Sequence, residues 1–435
     1  MTRRSLMIAL EGEELEPVDP IEPAEAVPAE AESAVAEVAE DQAPIDDLAT
    51  AVEEAAEDID TLENVGDVIE DSVETGEGLP PAAAEIADIA VESIRERLGI
   101  KGRRLAPSLE AYGASSSRLT ASRVALEGVK ETLKAAWEAV RKAVSALIDR
   151  IVGWFKKHFG ANEMLEKALA KLEAGADGLG DKKPDVSDFE NESVFTGFAN
   201  KNSVNAASVK GCLERQAKLS EEVVAANVKA GDGAAKIGDA LTQAKGEEGA
   251  TKVATIAAAV GTEIASVIGA TISVSAGQKS GGLSSKHVGV LFGGKSIVLT
   301  TGKETEEGAG NAFMKAEVRV VEKHDGAKTV PVLSGTDQKS VLEGVKTLLT
   351  ANKALMEKVD SLKKFQAGVD KAIAAAMKKA ENPEGEEAKA LNTAKKSLQG
   401  QATFVGQLNL ALPGLNLQAS KTALSYVGAC QKHYK

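Results

Sequence analysis

Gly289-Val-Leu-Phe-Gly-Gly294-Lys295-Ser296 satisfies the pattern GxxxxGK[ST], in which backbone N–H groups of a glycine-rich turn and a lysine cradle phosphates. A phosphate loop has to leave a strand and open a helix. Here the loop interior is apolar and Ser296-Ile-Val-Leu-Thr-Thr301 continues as a strand, so a hairpin turn at Gly293-Gly294 is the better reading. Four histidines (His158, His287, His324, His433) are far apart, with no HExxH or HxH spacing to build a metal centre. Cys212 and Cys430 stand 218 positions apart, which gives neither a disulfide framework nor a CxxC site and suits a reducing compartment. No GxSxG elbow is present. Nothing in these residues calls for a cofactor or metal, and an enzyme is not the expected reading.

The elements around these residues point to helix packing. The chain has 435 residues, of which 43% are apolar and only 3% aromatic, so the apolar fraction is mostly Ala, Val, Leu and Ile, which favours helices over an aromatic cleft or stacking platform. The formal net charge of −15 conceals a division. Residues 1–110 carry 30 acids and 7 bases, a net of −23, and the remaining 325 residues carry 36 acids and 44 bases, a net of +8. No Lys, Arg or His occurs between Ser5 and Ile94. Residues 1–45, in which prolines are scattered among acids and alanines, are expected to be disordered. In 46–98, Ile45, Leu48, Val52, Ile59, Leu62, Val68, Ile69, Ile86, Ile89, Val91, Ile94 and Leu98 recur near helical spacing, predicting one or two acidic helices. The start, MTRRSLMIALEGEE, has too short an apolar stretch for a signal peptide.

Residues 111–127 read as a flexible strip: Pro, Gly, Ser and Ala predominate from Ala106 to Ser122, as in an exposed segment that a protease could bind extended. Beyond it, residues 128–160 place Leu133, Trp137, Val140, Val144, Leu147, Ile151 and Trp154 on one helical seam. Lys130, Lys134, Arg141, Lys142, Arg150, Lys156 and Lys157 outnumber Glu131, Glu138 and Asp149 there. Three fates suit such a helix: packing on the rest of the protein, lying on an anionic membrane, or pairing with an acidic partner, its own leader included. His158 reads as a surface residue. Residues 253–278 are the nearest thing to a membrane span, but they are built from Ala, Gly, Ser and Thr and fit a packed helix running into a strand.

Residues 161–268 read as helices interrupted by a loop from Gly175 to Asp188 and a short stretch bearing Phe189, Phe195 and Phe198. Five β-rich runs follow within 269–335 (271–275, 287–292, 296–301, 314–322 and 327–333), predicting an antiparallel meander. In 336–435, Val341, Leu348, Leu355, Leu362 and Val369 repeat every seven residues, with Asn352 and Gln366 interrupting the pattern. This predicts one long helix packed on 161–268 and broken at 381–387. The expected fold is therefore mainly α, in helical hairpins or a bundle, with an inserted small antiparallel β-meander and a disordered acidic N-terminal leader.

Ser108-Leu109-Glu110 before Ala111, Ala125-Leu126-Glu127 before Gly128, and Ala9-Leu10-Glu11 before Gly12 resemble the small-x-Glu sites cut by prohead proteases of large tailed phages. With the acidic leader and a Lys/Trp-rich helix bearing Lys130, Lys134, Trp137, Arg141, Lys142, Trp154, Lys156 and Lys157, the chain resembles the phiKZ-like phage internal head proteins. The resemblance implies a non-enzymatic protein held inside the phage head, trimmed by the prohead protease and packaged beside the genome, with capsid or inner-body proteins as partners and ejection with the DNA as a further step. During assembly it would be in the host cytoplasm. The modest charge of the body suits only weak, non-specific DNA contact. The other reading is a membrane-active or host-directed effector delivered from the virion, touching membrane through 128–160.

Overall fold

The computed structural model describes residues 27–102, 105, 115–179, 184–199, 203–269, 274–280, 283–303, 312–322, 328–379 and 386–434. Its elements in chain order are α1 (Ala29–Glu74), α2 (Pro81–Arg97), α3 (Ser115–Asp177), β1 (Asp188–Glu190), α4 (Glu192–Phe198), α5 (Ala206–Gln243), α6 (Gly246–Val267), β2 (Val274–Ser280), β3 (Leu283–Leu291), β4 (Lys295–Lys303), β5 (Ala312–Val320), β6 (Thr329–Pro331), α7 (Gly335–Glu357), α8 (Val359–Lys379) and α9 (Glu386–Lys432). The fold is mainly helical with a small antiparallel sheet, as the composition predicts.

The bundle directions follow from side-chain pairs. Lys210–Glu343, Asp232–Lys364 and Asp239–Lys371 join α5 to α7 and α8 with partners 132 or 133 residues apart, so α7 and α8 run parallel to α5. Asn409 meets Asn227 and Asn416 meets Gln216, so α9 runs antiparallel to α5. The α5–α8 approach is close: a Cβ added at Gly368 would stand 2.8 Å from Ala234 Cβ and 3.0 Å from the Ala235 backbone nitrogen. The predicted single long helix is two, since Lys358, at φ −77° and ψ 38°, breaks the path between α7 and α8. The seven-residue repeat nonetheless survives the break, and Val341, Leu348, Leu355, Leu362 and Val369 are all buried.

The core contains a chain of polar side chains. Phe292 N donates to Gln216 Oε1 (2.8 Å), Gln216 Nε2 to Asn416 Oδ1 (2.9 Å), Asn416 Nδ2 to Asn352 Oδ1 (3.0 Å), Asn352 Nδ2 to Asn162 Oδ1 (3.2 Å), and Asn162 Nδ2 to Glu166 Oε1 (3.0 Å). All four amide residues are 0% exposed. Asn352, an interruption in the sequence pattern, is thus a link joining α3, α5, α7, α9 and the β3–β4 turn. Buried amides must be paired across helices, and one sliding helix would break several bonds, so the chain sets register.

Strands β2–β3–β4–β5 form the predicted meander in that order, carried mainly on α9 through β5, with α6 also in contact. The last β-rich run is not part of it. β6 pairs instead with β1, and Tyr426 at the end of α9 donates its hydroxyl to Pro331 O (2.5 Å). The segment that contains Phe189 supplies the missing partner strand. At the β3–β4 turn, Gly293 and Gly294 have φ of +72° and +63°, and a Cβ on Gly294 would lie 2.1 Å from Glu322 O, which explains both glycines by backbone conformation and close approach. Phe292 of this turn packs edge-on against Phe198, with ring centroids 5.1 Å apart.

Residues 29–45, expected to be disordered, are the start of α1. Ala31, Val35, Val38 and Ile45 are buried, so a helix with acids on one side buries an apolar stripe where a neighbour is available. The neighbours are α3 and α9. Residues 115–127, expected as part of a flexible strip, are the opening turns of α3. This stretch, SSSRLTASRVALE, lacks Gly and Pro, and its small residues permit close helix contact: Ser122 lies at the α2 approach and donates to Arg118 O while accepting from Leu79 N (2.8 Å).

Candidate functional site

The chemistry foreseen for this protein is concentrated where the acidic leader meets the basic helix. α1 lies antiparallel along α3: Glu70 is 3.5 Å from Lys130 at one end, and Asp41 meets Lys157 and His158 at the other. Every seventh residue from Ala31 through Val38, Ile45 and Val52 to Ile59 is buried, with Leu62 and Ile69 beside that line. This repeat is the a/d pattern of a coiled-coil seam. Gly66 continues it, within contact distance of Val129 on α3. Val68, Ile86 and Ile89, grouped by sequence with the apolar stripe, are exposed.

α2 is tied down separately. Arg97 makes a two-pronged contact with Asp58 of α1. Arg95, the first base after Arg4, is buried with Nε and Nη2 donating to Thr132 Oγ1 (2.8 and 2.6 Å) and Nη2 donating to Gly128 O (3.2 Å). Leu105 is buried too; its backbone N–H donates to Asp88 Oδ1 (2.9 Å). Neither Asp41 nor Thr132 was distinguishable in sequence from its neighbours. Arg95 was marked by the ninety residues without a base that precede it.

Of the three suspected processing positions, Ala9-Leu10-Glu11 and Ser108-Leu109-Glu110-Ala111 lie outside the described residues. Ala125, Leu126, Glu127 and Gly128 lie inside α3, not at the start of a helix. Ala125 is buried, Glu127 is exposed, and a Cβ at Gly128 would stand 2.9 Å from Leu105 Cδ2. A protease needing an extended strand would have to unwind α3 here and lift the α2 end of the leader. Trp137 and Trp154 are buried, whereas Lys134, Lys142, Lys156 and Lys157 are exposed and Arg141 pairs with Glu138. Helix 128–160 therefore packs on the protein and pairs with its own leader, two of its three foreseen fates.

His158 is the clearest correction. It is 3% exposed, with Nε2 2.8 Å from Asp41 Oδ2 and its ring 5.0 Å from that of Trp154. Burial pushes its pKa below the usual value against the opposing pull of Asp41, and the Lys157 ammonium holds Asp41 below the usual carboxylate range. Both shifts favour the forms present at neutral pH. The stability linked to His158 is present above about pH 6.5 and is lost as pH falls through its lower folded pKa; that linked to Asp41 goes below about pH 4. Leader docking should thus weaken in mild acid, with protection factors of α1 amides (the intrinsic exchange rate divided by the observed rate at the same pH) several-fold lower at pH 5.5 than at 7.5. His158→Gln should flatten that difference, and an unchanged pH profile in the variant would remove His158 as its source.

Cys212 and Cys430 are buried free thiols whose pKa values burial raises to about 12, far from a thiolate nucleophile at neutral pH. A cavity of about 560 Å³ beside the β3–β4 turn is lined by Arg215 and His287 among others, and Arg215 Nε donates to Val290 O (3.1 Å), so that guanidinium holds the turn in place. Among the described residues no cluster of His, Cys, Asp and Glu is arranged to hold a metal ion, and no helix is long and apolar enough to cross a membrane.

The family model for phiKZ-like phage internal head proteins matches residues 33–429. The chain belongs to that family. The match enters within α1 and runs across α2 and the junction. Membership places this internal head protein in the phage head interior, in a structural family of the virion. Comparison with curated proteins and with solved structures finds no match.

Proposed function

We propose that this internal head protein is made with an acidic leader that packs along the apolar seam of α3 and offsets the charge of its basic residues, and that a prohead protease cuts at Glu110 during capsid maturation. The protein is then packaged beside the genome. The observation that carries this reading is the seating of residues 27–102, with 22 acids and 3 bases (a net of −19), against α3 and α9 of a body whose sequence nets +8, with Glu70 at Lys130 and Asp41 at Lys157 and His158. With the leader in place, the whole chain carries a net charge of −15 and is repelled by DNA. Once the leader is gone, the body offers weak, salt-sensitive, sequence-independent contact, favoured by the phosphate concentration of a packed head. Capsid or inner-body proteins meet the acidic surface during assembly, and ejection with the DNA follows packaging.

N-terminal sequencing with intact mass, on protein from finished particles, tests the processing. A start at Ala111 is expected, with Gly128 for molecules cut again; a start at Met1 or Thr2 would overturn it. Glu110→Gln protein should keep its leader and bind duplex DNA at least several-fold more weakly at low salt than cut protein from which the leader has been displaced. Equal binding by the two forms would show that the leader does not mask.

A further inference from the structure

The contacts that hold the leader among the described residues all lie outside the segment joining leader to body, residues 106–114. Residues 27–102 reach the body through α1 on α3 and α9, and through α2 on α3. The buried line Val38, Ile45, Val52, Ile59, Leu62 and Ile69 runs the length of that contact, whereas the ion pairs at its edges are partly solvent-exposed: Lys130 and Glu70 side chains are 37% and 41% exposed, and Lys157 and Asp41 55% and 33%. Exposed pairs add little to binding and are screened by salt; buried apolar area is not. The leader side of the junction is anchored as well, by Leu105 at Gly128 and by Arg95 on Thr132 and the Gly128 carbonyl. On the body side, α3 begins at Ser115.

We propose that the leader, once cut from the body between residues 106 and 114, stays in place as a non-covalent subunit, held by its apolar seam rather than by its charge. This rests on the processing reading for its biological occasion, but the physical claim concerns any break in that segment. Cutting then permits the reversal of charge without causing it. The trimmed protein exposes the apolar seam of α3 and loses the acidic charge only when something displaces α1, and a displacing partner of matching chemistry is another amphipathic helix with an acidic outer face.

The test uses the full chain with a foreign protease recognition sequence placed within residues 106–114, so its result does not depend on whether the phage enzyme cuts at Glu110. After cleavage, confirmed by two bands on a denaturing gel, size-exclusion chromatography at 0.15 M and 1 M NaCl should return both fragments in one peak. The same protein carrying Leu62→Asp should release its leader as a separate peak on cleavage. A leader that elutes alone from the unsubstituted protein at 0.15 M NaCl, or that leaves only at 1 M, overturns the proposal, as does a Leu62→Asp leader that stays bound. Particle protein starting at Met1 would defeat the processing reading and leave this result standing.

Discussion

Leu62→Asp in the intact chain should free the leader from α3 while the α5, α7, α8 and α9 bundle stays folded. Leu62 is 0% exposed on the α1 seam. Removing a buried leucine side chain costs roughly 2–5 kcal/mol, and a carboxylate in its place adds a desolvation penalty, so the docking equilibrium should shift about a hundredfold or more. Both tryptophans of the chain, Trp137 and Trp154, are on α3, and Trp154 neighbours His158 under α1. Detachment should therefore appear as a red shift of tryptophan emission and as fast hydrogen exchange over 29–97, with protection retained in α5 and α9. Val68→Asp, on the same helix at a residue 58% exposed, should leave both readouts unchanged. Equal effects of the two substitutions would mean that α1 is not held by this seam.

Asn416→Leu should destabilise the bundle by about 3–5 kcal/mol, because it strands the Gln216 amide donor and the Asn352 acceptor in a dry core, each costing about 1–3 kcal/mol. Asn416 alone contacts Gln216, Ser220 and Asn352, and through Gln216 it supports the β3–β4 turn at Phe292. The comparison that isolates the effect is the double variant Asn227→Leu with Asn409→Leu. Those two amides are bonded chiefly to each other, so removing both leaves little unsatisfied and should cost less than about 2 kcal/mol. Urea unfolding of both variants decides: if Asn416→Leu costs no more than the double substitution, the amide chain does not work as a connected unit.

The parts of this protein legible in its sequence are those that local pattern encodes. The seam Leu133, Trp137, Val140, Val144, Leu147 and Ile151 predicted the inward face of α3, and β-rich runs around Gly293-Gly294 predicted the β3–β4 hairpin in place of a phosphate loop. Errors arose where a neighbour decides. Residues 29–45 are too acidic to stay ordered alone, yet α3 and α9 supply the surface that their valines need. SSSRLTASRVALE looked like an exposed strip because Ser and Ala suit both loops and close helix contacts. β6 left the meander because β1, a run of only three residues, gave no signal as its partner.

The sequence by itself determined the helical class, the split of charge between leader and body, the small-x-Glu positions and the amphipathic face of residues 128–160. These depend on residue type and spacing along one segment. Tertiary structure alone decided that the acidic segment lies on the basic one, that Glu127 sits in a helix next to a Gly128 packed against Leu105 and Arg95, that His158 is buried against Asp41, and that Asn352 belongs to a polar chain through four helices. Each of these depends on which side chains, more than a hundred residues apart in some cases, share a volume too dry to leave a charge or an amide unpaired.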